Sequence, residues 1–185
     1  MVSTNVTASK PKVSGAIYAA PLGTTLPTDA TSSLNAAFKE LGYVSEDGIT
    51  NSNSPESDVI KAWGGDTVLT LNKGKEDTFS MTLIEVLNLE VLKLVYGSSN
   101  ITGTTLANGI SIKANSTDLP ENAIVIDMVL KNNVLKRIVL PQAKVSEVGD
   151  ITYSDSDAVG YETTLFCTAD SSGNTHYEYI KNGST

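Results

Sequence analysis

"EDTFSMTLIEVLNLEVLKLVYG", residues 76–97, changes its hydrophobic period from two to about 3.6 partway along, and that change decides the fold. In the first half Phe79, Met81 and Leu83 alternate with Thr78, Ser80 and Thr82, which predicts a strand with one buried face and one wet face. In the second half Val86, Leu87, Val91, Leu94 and Val95 share a broad helical face and Gly97 supplies a stop, which predicts the main helix, laid over the same sheet. Phe79, Met81, Leu83, Leu87, Val91 and Leu94 are therefore the candidate core.

On either side of this stretch the period stays near two. "VIKAWGGDTVLTLN", residues 59–72, reads as a hairpin around Gly64-Gly65. "AIVIDMVLKNNVLKRIVLP", residues 123–141, reads as a second hairpin around Asn132-Asn133, residues that tolerate positive φ. "DAVGYETTLFCTAD" and "THYEYIKNG" add strands joined by the turn "DSSGN", and "VSGAIYAA", residues 13–20, opens the set. "SSLNAAFKELG", residues 32–42, places Leu34, Ala37, Phe38 and Leu41 at helical spacing with Gly42 behind them, which predicts a short docking helix. The fold class is mainly β with one main α-helix, α+β, in a sandwich or barrel arrangement of about eight strands. Residues 1–12 are polar and are expected to form a mobile arm, and residues 13–185 one domain.

The charge excludes one function class. With 13 Lys and Arg against 21 Asp and Glu, the chain carries a formal charge of -8 and no basic cluster beside stacking aromatics, so tight nucleic-acid binding is not expected. Residues 146–185 hold Glu147, Asp150, Asp155, Asp157, Glu162, Asp170 and Glu178 against Lys181 alone. The opening "MVSTNVTASKPK" has no apolar stretch of the kind a signal peptide carries, and no run approaches the roughly 18 apolar residues of a membrane span. The expectation is a chain made in the cytoplasm with no membrane partner.

Chemistry is sparse. There is one cysteine, Cys167, alternating with Leu165 and Tyr161 as a small core residue, and one histidine, His176, read as lying on the solvent side of its strand with no nucleophile or orienting acid indicated. A calcium loop counted from Asp47 puts Gly48 second and Asp58 twelfth, which fails the required pattern, so "SEDG" is read as a turn with Asp47-Gly48 at its tip. Asp150, Asp155 and Asp157 read as a solvated loop, and Tyr177 and Tyr179 as residues of a half-buried strand rather than a sugar platform. No catalytic residue, cofactor or metal ligand is expected. Asn51, Ser52, Asn53, Ser54, Pro55, Glu56 and Ser57 have almost nothing to bury and read as a loop that orders against a neighbouring subunit.

Three stretches, "LGYVSEDGIT", "IKAWGGDTVLTL" followed by "TFSMTLIEVLNLEVLKLVYG", and "LPQAKVSEVGDITYSDSDAVGYETTLFCTADSSGNTHYEYI", together resemble the major tail tube proteins of siphophages, over residues 13–181. The resemblance implies a β-sandwich or half-barrel whose inner sheet joins its neighbours into a continuous barrel, hexameric rings stacked into a DNA-conducting tube, and no enzymatic activity. It also implies as partners the chain itself, the tape measure protein, the tail tip and terminator proteins, and phage DNA passing without specific binding. The expected location is the virion tail after assembly in the host cytoplasm. The alternative is a non-enzymatic surface or adhesive β-sandwich module, such as a virion decoration protein or a bacterial adhesin domain.

Overall fold

The computed structural model describes residues 5–12 and 16–183; residues 1–4 of the expected arm, 13–15 of the first expected strand and 184–185 lie outside the described residues. Among the described residues, eleven strands and one α-helix follow one another as β1 (Ser9–Pro11), β2 (Ile17–Pro21), β3 (Lys39–Glu40), β4 (Val44–Lys61), β5 (Thr67–Leu83), α1 (Leu89–Tyr96), β6 (Ile101–Thr102), β7 (Ser111–Ile112), β8 (Asn122–Leu130), β9 (Val134–Val148), β10 (Tyr161–Cys167) and β11 (Tyr177–Asn182). Nine strands form one sheet in the order β3-β2-β8-β9-β10-β5-β4, with β1 added to β8 and β11 added to β9, while β6 and β7 pair separately. The sheet does not close: β3 and β4 are its open edges. No described helix is long and apolar enough to cross a membrane.

The sheet forks along the hairpin of β8 and β9. β8 carries β2 on residues 122–126 and β1 on 128–130. β9 carries β11 on residues 134–139 and β10 on 143–148. Both strands turn at Asn132 and Asn133, whose φ values of 62° and 58° place them in the left-handed region that asparagine tolerates. The run from Ala123 to Asp127 is buried on both faces, which explains its near-continuous hydrophobicity. Ile124 and Ile126 meet the main core, and Ala123 and Val125 meet a second cluster with Ala20, Phe38 and Val139.

Phe79, Met81 and Leu83 point into the main core, where Val91, Leu92, Leu94 and Val95 of α1 cover them. Asn88 caps the helix by accepting the Glu90 N–H at 3.0 Å, and Gly97 closes it with φ 86° and an N–H to Lys93 O at 2.9 Å. The cap corrects one core residue. With the helix starting at Leu89, Leu87 sits in the preceding turn, which the Asn88 N–H closes onto Glu85 O, and it is 65% exposed.

Residues 32–42 form no helix. Asp29 Oδ1 accepts the N–H groups of Thr31 and Ser32, and Asn35 Oδ1 accepts that of Ala37, so short polar side chains take the donors a helix would use. Arg137, 1% exposed, forks onto Asp127 at 2.6 and 2.8 Å and donates through Nη1 to the carbonyls of Asp29 and Ser32, which pins the segment in its irregular path. Phe38 and Leu41 are buried all the same, and Lys39–Glu40 pairs with Tyr18 and Ala19 as β3. The hydrophobic spacing identified the buried residues; the backbone chose a different route to bury them.

Part of the expected mobile arm is a strand. Ser9 to Pro11 pair with Met128 to Leu130, and Thr7 Oγ1 accepts the Lys131 N–H at 2.8 Å. Sheet addition at an edge uses the backbone and asks nothing of side-chain polarity, and Pro11 is tolerated there.

Candidate assembly surfaces

β4 and β5 form one long hairpin whose two halves live in different surroundings. From Asp77 to Leu83, β5 alternates between buried and half-buried residues. Every residue from 50 to 76 is exposed, so the ribbon projects beyond the core with both faces uncovered. Its tip is the turn predicted at Gly64-Gly65, closed by Ala62 N–H to Asp66 O at 2.8 Å.

Asn51, Ser52, Asn53, Ser54, Pro55, Glu56 and Ser57 lie in this ribbon and are strand, not loop. They pair from Asn51 with Phe79 through Glu56 with Gly74, then, after a register shift, Ser57 with Asn72. Gly74, at φ 124°, accommodates that irregularity, and Asn72 Oδ1 accepts its N–H at 2.9 Å. β4 is the sheet edge, where a proline such as Pro55 is tolerated. A polar sequence read as loop becomes strand because a partner strand supplies the hydrogen bonds while nothing covers the side chains. Asp47-Gly48 is likewise no hairpin tip: it falls in the irregularity between Val44 and Ile49, with Gly48 at φ 74°.

The ribbon is polar in its stem and apolar toward its tip. Val59, Ile60, Val68, Leu69 and Leu71 are each 42–61% exposed and Trp63 is fully exposed. Contiguous apolar surface on an uncovered ribbon marks an interaction site. The sequence carried the signal in the breakdown of alternation at Val59-Ile60 and Val68-Leu69, where apolar residues occupy both faces.

A second surface is the outer face of β4, β5, β10 and the end of β9, opposite the main core. Thr50 and Ser52 from β4, Thr78, Ser80 and Thr82 from β5, and Thr164 from β10 share it by register, with Ser80 and Thr164 hydroxyls 3.0 Å apart. Glu147 pairs in register with Thr164 and Glu162 with Thr82, while Lys144 is tied to Asp118. The face presents hydroxyls, carboxylates and the exposed ring of Phe166, with Lys144 already engaged.

At the hairpin's root stands a buried carboxylate that sequence reading passed over. Asp77 is wholly buried; its Oδ1 accepts Asn51 Nδ2 at 2.8 Å, and its Oδ2 meets Thr175 Oγ1 and His176 Nδ1. Burial pushes its carboxyl up, and the bonds from Thr175, His176 and Asn51 more than reverse this, holding it below the usual aspartate range. His176 is thus not on the solvent side: its side chain is 14% exposed and its ring meets the Phe79 ring edge-on at 5.4 Å. The clue was parity, since Asp77 shares the inward register of Phe79, Met81 and Leu83.

Other candidate groups are occupied structurally. Cys167 is buried and its thiol is pushed up to about 12, first by burial and then by Asp77. The Tyr177 and Tyr179 rings stack at 6.4 Å, and the Tyr177 hydroxyl is bound to Asp170 at 2.6 Å. Asp150, Asp155 and Asp157 are exposed between β9 and β10.

A family model described as phage tail tube protein matches residues 5–184. A search of curated proteins finds no match.

Proposed function

Because the chain belongs to the phage tail tube protein family, matched over nearly its whole length, it is a structural component of the tail tube, and we propose that it forms hexameric rings stacked into the tail of a siphophage and conducts DNA to the host. The observation that carries this reading is the uncovered ribbon, residues 50–76, projecting from a sheet with open edges at β3 and β4. Two-stranded ribbons are marginal alone, and exposed strand edges invite pairing. A head-to-tail ring supplies both remedies, because each copy's edge meets the next copy's other edge until rotation closes the circle. The apolar tip around Trp63, with Asn51 to Ser57 in the stem, then seats on a neighbouring subunit or ring.

The hydroxyl and carboxylate face of β4, β5 and β10 is the wall past which DNA moves. The protein acts by shape and self-association, without catalysis or cofactor. Its further partners are the tape measure protein and the tail tip and terminator proteins of the tail. Assembly takes place in the host cytoplasm.

Electron microscopy of purified protein across a concentration series, paired with sedimentation, tests this. Rings of six and tubes of stacked rings are expected, with a concentration-dependent shift from monomer to large species. Protein that stays monomeric on concentration and in the presence of tail-initiation proteins would overturn it, and a different ring number would overturn the hexamer alone.

A further inference from the structure

The long hairpin changes from supported to unsupported at one residue, Asp77, and that residue is gripped from three directions. Asn51 reaches it from β4 at 2.8 Å, and Thr175 and His176 reach it from the segment ahead of β11. Beside this cluster a cleft of about 430 Å³ separates the ribbon's stem, at Asn53 and Lys75, from the turn at Gly173, Asn174 and Thr175. Beyond the cluster the ribbon's side chains are uncovered, since residues 50–76 are all exposed.

We propose that the Asp77–His176 pair is a latch that fixes the direction in which the ribbon leaves the body, and that removing the carboxylate's charge lets the ribbon swing across the cleft. Strand pairing holds β4 to β5 but cannot set the angle between the ribbon and the body. β5 pairs with β10 only as far as Thr78 opposite Phe166, and past that point the cross-links from Asp77 to Thr175 and His176 tie the ribbon's root to the segment ahead of β11. A latched ribbon is already aimed when a second copy arrives, so association forgoes part of its ordering cost.

The groups that face Asp77 define its acid response. Asn51 on β4 carries no charge; on β5 itself Lys75 lines the cleft; from β10 the Cys167 thiol is neutral; and the His176 ring is in direct contact through Nδ1. Asp77 titrates below its ordinary value, so the latch is complete above the unfolded-chain pKa, about 3.9, and is lost as pH falls through the lower folded value.

The inference stands on the isolated subunit and is tested there, independently of ring formation. Nitroxides at Lys61→Cys and Ser172→Cys, in dilute monomer, report the ribbon-to-body distance; buried Cys167 does not compete for label. The wild type should give a narrow distribution, and Asp77→Asn and His176→Ala distributions at least about twofold broader. Should Asp77→Asn fail to fold, His176→Ala decides alone. Val91→Ala, a core change on α1 outside the root cluster, should stay narrow. Unchanged widths in folded latch variants, or equal broadening in Val91→Ala, overturn the latch. On acidification, broadening should come below the ordinary aspartate range with the circular dichroism of the sheet intact; broadening near the ordinary histidine value would overturn the carboxylate as the controlling group.

Discussion

The two halves of β4–β5 share strands, antiparallel pairing and turn chemistry, yet one half is core and the other has no core at all. From Asp77 inward, Phe79, Met81 and Leu83 are at most 4% exposed; from Glu76 outward nothing is buried. Hydrogen-bonded pairing is therefore not what distinguishes a supported strand from an unsupported one. The difference is side-chain cover: the body supplies its own, and in the outer half the proposed function assigns the cover to another copy of the chain.

The sharpest way to break that division is to make the same substitution on both sides of Asp77. Leu83→Ala should cost about 2 to 5 kcal/mol of monomer stability, the usual range for a buried leucine. Leu69→Ala in the ribbon should leave the monomer within about 0.5 kcal/mol of wild type, as exposed positions do, while lowering the yield of tubes. Thermal or denaturant unfolding read beside electron microscopy checks both. A Leu69 variant that unfolds early would mean that the ribbon is supported within the monomer.

Removing the ribbon's outer part tests the same division at larger scale and smaller energetic cost. Replacing residues 53–75 by a two-residue turn keeps Asn51 and Asp77 and should leave circular dichroism and melting nearly unchanged while abolishing tubes. Deleting residues 1–8 spares β1 and should do the same to melting. Extending that deletion through Pro11 strips β1 from β8 and the Lys12 neighbourhood of its tether, and should add a modest loss of stability. Tube growth that survives removal of the ribbon would move the assembly contact elsewhere.

How legible this was in the sequence follows the same line. Alternation at Phe79, Met81 and Leu83 and the apolar face of α1 were readable because burial inside one chain leaves a periodic trace. Residues 51–57 were misread because their ladder is satisfied by a partner strand whose register no local pattern announces. The helix expected at 32–42 failed for a related reason: Leu34, Phe38 and Leu41 have helical spacing, but Asp29 and Asn35 take the local donors and Arg137, a hundred residues away in sequence, holds the carbonyls. Leu87 was lost to the cap at Asn88, the next residue along. The root cluster was half legible, since an aspartate in the inward register is an anomaly, but its donors Thr175 and His176 come from the far end of the chain.

The smallest effect on stability should come from the outer hydroxyl face, and it separates wall from core on the same strands. DNA carries roughly one negative charge per 1.7 Å of its axis, so a tube lined with cations would hold it through many phosphate contacts. The face formed by Thr50, Ser80, Thr82 and Thr164 carries Glu147 and Glu162, and its Lys144 is paired with Asp118. Repulsion from such a wall is confined to about 8 Å at physiological salt, which keeps a centred duplex from sticking without obstructing its path. On the proposed function such a wall would work as a slippery sleeve. Wild-type tubes should accordingly bind duplex DNA no better than an inert acidic protein in a salt-controlled binding assay. Thr50→Lys and Thr82→Lys, on half-exposed or exposed positions, should alter monomer melting by no more than about 0.5 kcal/mol, as surface changes do, and permit tubes that retain DNA and slow its ejection. Micromolar binding by wild-type tubes would contradict the sleeve, and normal ejection from lysine-lined tails would place this face on the outside of the tube.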